Sequence, residues 1–280
     1  MLSFAKGHGT RNDFVLVTDA DDARPLTDEA VRFLTDRRSG VGGDGILRAV
    51  RARHIPGWDG EGEIWFMDYR NADGSIAEMC GNGVRVFARY LVDEGLVAPG
   101  TTEIPIGTRA GLRTATLLHD GRVRVWMGRP VTEDAGVTVQ LGERNWAATS
   151  VDVGNPHAVV LLGEDDDLAG LDLTRAPGWF PLDAFPAGVN VEFVEEIGPG
   201  HVRMRVFERG VGETESCGTG TVAVASAVAS AHAEPDGRWI VDVPGGQVEV
   251  DLLAGEAWLT GPAEIVARGQ VWLPGEEDDD

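Results

Sequence analysis

The chain has 280 residues, with 24 Lys or Arg against 46 Asp or Glu, for a formal net charge of −22. A surface this acidic repels nucleic acid and anionic membranes, so neither is an expected partner. With 42% hydrophobic and 25% charged residues the composition is that of a globular protein. No apolar run approaches the roughly 20 residues that a bilayer span needs.

The opening Met1-Leu2-Ser3-Phe4-Ala5-Lys6 has no basic segment followed by an apolar core, so no secretory signal is read there and a cytoplasmic protein is expected. The acidic run at 276–280 reads as a solvated tail. Lys6 is the only lysine. A pyridoxal-phosphate enzyme needs a lysine for its Schiff base, and one at this position, without a phosphate-binding loop nearby, does not serve. Cys80 and Cys217 are the only cysteines. Two are too few for a cysteine-rich zinc site or a disulfide scaffold, which leaves one disulfide or two working thiols.

In chain order, Val15-Leu16-Val17 reads as a strand. Thr27 is a helix N-cap, with Asp28 and Glu29 in the first turn and Leu26 placed to staple onto Val31; Gly40 is expected to end this helix. Ile64-Trp65-Phe66-Met67 is a strand, and Val84, Phe87, Ala88 and Leu91 recur at helical spacing up to a stop at Gly95. Residues 112–118 and 122–127 flank Asp120-Gly121 as a hairpin. Further strands fit 189–194, 202–207, 240–243, 247–253 and 265–273. Residues 218–232 carry no charge and are rich in alanine and valine, the pattern of a helix buried on all sides.

The chain repeats itself. Glu78-Met79-Cys80-Gly81-Asn82-Gly83 matches Glu215-Ser216-Cys217-Gly218-Thr219-Gly220 at an offset of 137 residues, and each copy leads into a predicted helix. Asn71 and Glu208 each stand nine residues before a cysteine. Asn12-Asp13-Phe14-Val15 pairs more weakly with Asn155-Pro156-His157-Ala158. The expected fold class is α+β, built as two pseudo-symmetric halves, each a mainly antiparallel sheet around a central helix. The expected boundaries are 1–122 with 266–280, and 123–265. A site is expected between the halves.

A cysteine just before a helix sits where unpaired N–H groups and the dipole favour an anion, and its thiol pKa falls. The glycines let a ligand approach the backbone, whose N–H groups can hold a carboxylate. Two such ends around one carbon, one a thiolate and one a thiol, would take a proton from one face and give one to the other. Lone cysteines are more often buried fillers, but these two share matched glycine-rich settings.

Other motifs carry less. Gly40-Val41-Gly42-Gly43-Asp44-Gly45 satisfies G-x-G-x-x-G but follows a helix and not a strand, so a dinucleotide reading fails. The six histidines are scattered and imply no metal. His157 stands out because it lies in the repeated asparagine element.

Asn71-Ala72-Asp73-Gly74-Ser75 with Glu78-Met79-Cys80-Gly81-Asn82-Gly83 resembles the first cysteine signature of the diaminopimelate epimerases. Gly154-Asn155-Pro156-His157, Gly188-Val189-Asn190-Val191-Glu192-Phe193, and Glu208-Arg209-Gly210 leading to Cys217-Gly218-Thr219-Gly220 resemble the remaining motifs, in the family's order. The resemblance implies interconversion of LL-2,6-diaminopimelate and its meso form without cofactor or metal, in a cytoplasmic homodimer. It implies Cys80 and Cys217 as the acid–base pair, with His157 and Glu208 adjusting thiol ionisation. It implies Gly81, Asn82, Gly218 and Thr219 at the reacting carboxylate, and Asn12, Asn71, Asn155, Asn190, Glu208 and Arg209 on the other polar groups. Some members carry glutamine where this chain has Gly45. Proline racemases and hydroxyproline epimerases resemble the same fold and are an alternative. So is a non-catalytic amino-acid-binding protein with a Cys80–Cys217 disulfide.

Overall fold

The computed structural model describes residues 1–275, with the side chains of Asp134 and Ala135 and the acidic run at 276–280 outside the description. The chain divides into two compact units, Met1–Val125 with the segment from Pro262 on, and Trp126–Gly261.

In the first unit the elements are β1 (Leu2–Gly9), β2 (Asn12–Thr18), α1 (Asp28–Thr35), β3 (Gly45–Arg51), β4 (Trp65–Asn71), α2 (Gly81–Asp93), β5 (Glu103–Thr108), β6 (Gly111–Leu117) and β7 (Val123–Gly128), the last crossing into the second unit. The second holds β8 (Val131–Leu141), β9 (Arg144–Asp152), β10 (Pro156–Leu161), β11 (Gly178–Phe180), β12 (Asn190–Gly198), β13 (His201–Glu208), β14 (Gly212–Thr214), α3 (Gly218–Ala231), β15 (Gly237–Val243), β16 (Gly246–Leu253) and β17 (Glu256–Gly261). Strand β18 (Glu264–Val271) returns to the first unit and pairs antiparallel with β1.

The same wiring runs through each unit. In the first, β2 is parallel to β3, β3 antiparallel to β4, and β4 parallel to β5 across α2. In the second, β10 is parallel to β12, β12 antiparallel to β13, and β13 parallel to β15 across α3. Each set ends in an antiparallel hairpin, β5 with β6 and β15 with β16. The fold class is α+β, a mixed sheet with a central helix in each unit. The repeat seen in the sequence is therefore a repeat of topology, with the cysteine at the same point of each crossover.

Sequence explains each helix. Thr27 caps α1 by accepting from the Ala30 N–H at 3.1 Å, and Leu26 joins Val31 in the cluster that seats α1 on β2 and β3. Its end differs from the expectation. The helix stops at Thr35, five residues before Gly40, because the Asp36 carboxylate takes the N–H groups of Arg38 and Ser39 and turns the chain. Helix α2 buries Val84, Phe87, Ala88 and Leu91 completely. Gly95, at φ +66, closes it by donating to Val92 O. Helix α3 is buried from Gly218 through Ala229, as its lack of charge requires.

A buried ion network ties β3 to β4. Arg48 donates from Nε to Asp68 at 2.9 Å and from Nη1 to Asp19 at 2.8 Å and Asp22 at 2.6 Å, and Arg109 reaches the other Asp68 oxygen at 2.5 Å. Burial works to raise the Asp68 pKa, but Arg109 and Arg48 outweigh it and hold the carboxyl below its usual range. Removing one partner of such a set leaves buried charge uncompensated. Asp68→Ala is expected to cost about 3–5 kcal/mol in urea unfolding at pH 7. A depressed folded-state pKa gives stability that is present above the unfolded value and lost as pH falls. The deficit of the variant should therefore shrink below about pH 4.

Candidate active site

Cys80 is the N-cap of α2. Its backbone is extended, its Sγ accepts from the Gly83 N–H at 3.4 Å, and its carbonyl accepts from Val84 N–H at 2.9 Å. The cap thus places a sulfur on the open end of a buried helix, where the first-turn N–H groups and the dipole favour negative charge. Asn12, at the start of β2, brings its Oδ1 to Cys80 Sγ at 3.5 Å and to Asn82 Nδ2 at 3.3 Å. Its own amide donates to Asp44 Oδ2 at 2.7 Å. Asp44 and Asp13 are in turn held by Arg37, at 2.8 and 2.7 Å.

Lys6, the only lysine, ion-pairs with Asp13 at 2.5 Å and donates to Gly42 O. Gly45 begins β3 so close to β4 that a Cβ there would lie 2.5 Å from Arg70 O. Any side chain at that position, glutamine included, needs the two strands to move.

Cys217 is the N-cap of α3, with Thr221 N–H and Oγ1 both donating to its carbonyl, at 2.9 and 2.7 Å. Its sulfur lies 3.6 Å from Thr219 Oγ1. Around it stand two carboxylates. Glu208, at the end of β13, accepts from Thr214 Oγ1, and its charge acts on the Cys217 thiol. Glu192, on β12, is fully buried and accepts from His157 Nδ1 at 2.7 Å. Gly220 makes room for it, since a Cβ at that position would sit 2.6 Å from Glu192 Oε1. Burial, then the charges of Glu208 and Glu192, push the Cys217 thiol well above its ordinary value. Burial likewise raises Glu208. Cys217 is thus a neutral thiol near pH 7.

The sequence-predicted residues fall into two local groups. In the first unit Cys80, Gly81, Asn82 and Asn12 meet at the start of α2, whereas Asn71, at the end of β4, turns its amide to Ser75 Oγ at 3.0 Å. In the second unit Gly218 and Thr219 form the first turn of α3. His157 Nε2 faces Asn155 Oδ1 at 3.1 Å, and Asn190 accepts from the Arg209 backbone N–H at 2.9 Å. Arg209 packs along Gly188 and donates to Ala187 O at 3.1 Å.

Two charged residues were given no role in the sequence reading. Glu192 is a lone charge inside the apolar strand Val191-Glu192-Phe193-Val194, and Arg85 is a lone charge on the buried face of α2. In both, a charged residue interrupts an apolar run, which was the available signal. Among the described residues no cluster of three or more His, Cys, Asp or Glu is arranged to hold a metal ion, and no helix is long and apolar enough to cross a membrane.

Residues 4–133 and 149–266 match the family model for diaminopimelate epimerase. The chain belongs to the diaminopimelate epimerase family. Among relatives of this epimerase family, the diaminopimelate epimerase of Streptomyces coelicolor is 50% identical, over 98% of this chain and 98% of its own. That of Corynebacterium glutamicum is 49% identical, over 97% and 99%. Among solved structures, a probable proline racemase from Agrobacterium radiobacter superposes with a TM-score of 0.70 at 18% identity, covering 99% of this chain and 95% of that one. At that identity the likeness speaks for the fold alone.

The surroundings of Cys217 make a prediction. In a Cys80→Ala protein, alkylation of Cys217 by iodoacetamide, followed by mass spectrometry across pH, should show a midpoint above the roughly 8.5 of a free thiol. A midpoint at or below that value would contradict the electrostatic reading.

Proposed function

We propose that the protein interconverts LL-2,6-diaminopimelate and meso-diaminopimelate by moving a proton off one face of an α-carbon and onto the other, with Cys80 and Cys217 as the two acid–base groups. The observation that carries this reading is the paired setting of the two thiols. In a chain of this family, each is the N-cap of the buried helix at the same point of a repeated unit. One thiolate removes the α-proton while the opposite thiol delivers its own, and the reverse reaction exchanges the roles. The first turns of α2 (Gly81, Asn82) and α3 (Gly218, Thr219) take the carboxylate of the reacting centre, so charge developing there meets helix N-termini.

The distal end of the substrate carries a second carboxylate and ammonium. Arg209 with the amides of Asn12, Asn71, Asn155 and Asn190 supplies the complementary groups, and His157 and Glu208 adjust Cys217. The scheme calls for no cofactor or metal. The two thiols must remain reduced to work, which suits a cytoplasmic enzyme; a homodimer is the assembly we expect. The substrate has no phosphate backbone or acyl chain, and the acidic surface suits neither nucleic acid nor membrane.

Incubation of LL-2,6-diaminopimelate with the reduced enzyme in heavy water should place solvent deuterium at one α-carbon. Cys80→Ala and Cys217→Ala should each lower turnover by about a thousandfold or more, as loss of a group acting in the transition state does. Proline offered in competition should neither exchange nor inhibit. Unlabelled diaminopimelate after long incubation would reject the reading, and label entering proline would replace it with a proline racemase.

A further inference from the structure

Arg85 has no exposed surface, yet among the described residues no carboxylate lies within ion-pair distance of it. Its Nε donates to Pro262 O at 3.3 Å and its Nη2 to Thr10 Oγ1 at 3.3 Å, while Nη1 is buried without a partner. A buried cation held only by long bonds to neutral oxygens is costly. Its position adds to the cost. Helical side chains lean toward the N-terminus. The Nη2 accordingly lies 3.0 Å, and Asn82 O 3.3 Å, from the point where a Cβ on Gly9 would stand. A cation beside the first turn of a helix opposes the dipole. Gly9 lacks a side chain, and Thr10 follows at φ +51 in the tight β1–β2 turn, so the backbone itself is shaped to admit the guanidinium.

We propose that Arg85 is a positioning residue that acts through Cys80: it is the buried counter-charge that favours the thiolate at the start of α2, so that Cys80 rests as the base and Cys217 as the acid. This rests on the proposed acid–base pair and adds to it the residue that sets the order of ionisation.

The Arg85 guanidinium is held down to about 10 by burial, and the Cys80 charge is what works to raise it. That influence is mutual, as any charge–charge interaction is. Other charged groups stand near this end of α2: Arg11 in the β1–β2 turn, Glu78 two residues before Cys80, and Glu264 on β18, which His8 on β1 faces at 3.9 Å and balances only when protonated. The following are paired with one another: Lys6 on β1 and Arg37 with Asp13 on β2, and Arg37 also with Asp44. The S–H contact to Asn12 Oδ1, at 3.5 Å, is the bond of a weak donor and does not outweigh a full buried charge.

The test is the pH dependence of Cys80 alkylation by iodoacetamide in a Cys217→Ala background, which needs no turnover. The midpoint with Arg85 in place should lie below the roughly 8.5 of a free thiol. Arg85→Met should raise it by about one pH unit or more, making Cys80 about tenfold less reactive at pH 7, and Arg85→Lys should restore most of the difference. Arg85→Gln takes the place of Arg85→Met if the latter does not fold by circular dichroism. A midpoint at or above that of a free thiol with Arg85 present, or one unmoved in a folded neutral variant, overturns the proposal. Failure of the deuterium-exchange experiment would instead reject the activity, and the Cys80 titration would still decide the role of Arg85.

Discussion

A helix that begins inside a protein must do something with N–H groups that have no carbonyl one turn back. In this chain both core helices start with a cysteine at the N-cap and glycine at the first and third helical positions; the Cys80 sulfur takes the Gly83 N–H, while Cys217 makes no side-chain cap bond and leaves its first-turn N–H groups open. A serine or aspartate would cap more strongly. Cysteine caps weakly, so the sulfur at each helix start is held only loosely. The glycines keep the first turn bare, so whatever anion arrives can reach the backbone. Much of the surrounding sheet serves to hold these two helix starts. The helices are buried over most of their length, and in each unit the helix lies in the crossover between two strands that run parallel, β4 with β5 and β13 with β15.

Two interacting copies of one device lose their protons in two steps, but symmetry alone does not decide which of the two gives up its proton first. The units share topology but not charge. Behind Cys217 stand Glu208 and Glu192, with His157 against Glu192 at 2.7 Å. Behind Cys80 stands Arg85, with neutral Asn12 and Asn82 beside the sulfur. Even the glycine positions differ in use. Gly220 is open to admit a carboxylate oxygen, while the nearest neighbour of a Cβ on Gly83, apart from Cys80, is Leu47 Cδ2 at 3.5 Å. The duplicated backbone sets where the two sulfurs go, and the unduplicated buried charges set which of them holds the proton.

That division decides what could be read from sequence. The repeat was legible because glycine, cysteine and asparagine recur at fixed spacing, and the helices because their apolar positions are periodic. The Thr27 cap and the hairpin at Asp120-Gly121 were legible because turn and cap chemistry is local. The end of α1 was not, since Asp36 stops it with a side-chain turn before Gly40 is reached. Strands β8 and β9 were not read, although Val137, Val139 and Leu141 alternate in burial with Thr138 and Gln140; the register shift between Glu133 and Val137 breaks the longer pattern of 131–141. Glu192 and Arg85 were visible as lone charges in apolar runs. Their meaning depended on which helix end each one meets, and one-dimensional spacing does not carry that.

The large net charge has a different role from these local ones. At −22 the surface repels anions at long range, and such a field raises the pKa of every thiol it reaches. Salt screens it within about 8–10 Å, whereas a buried group a few ångströms away is hardly screened. A substrate with two carboxylates and two ammonium groups has no net charge, so the surface field neither draws it in nor drives it off. Its recognition, and the choice of which sulfur starts ionised, therefore fall to the few buried charges beside α2 and α3. The acidic exterior is free to vary so long as Arg85 on one side and the Glu192–Glu208 pair on the other keep their places.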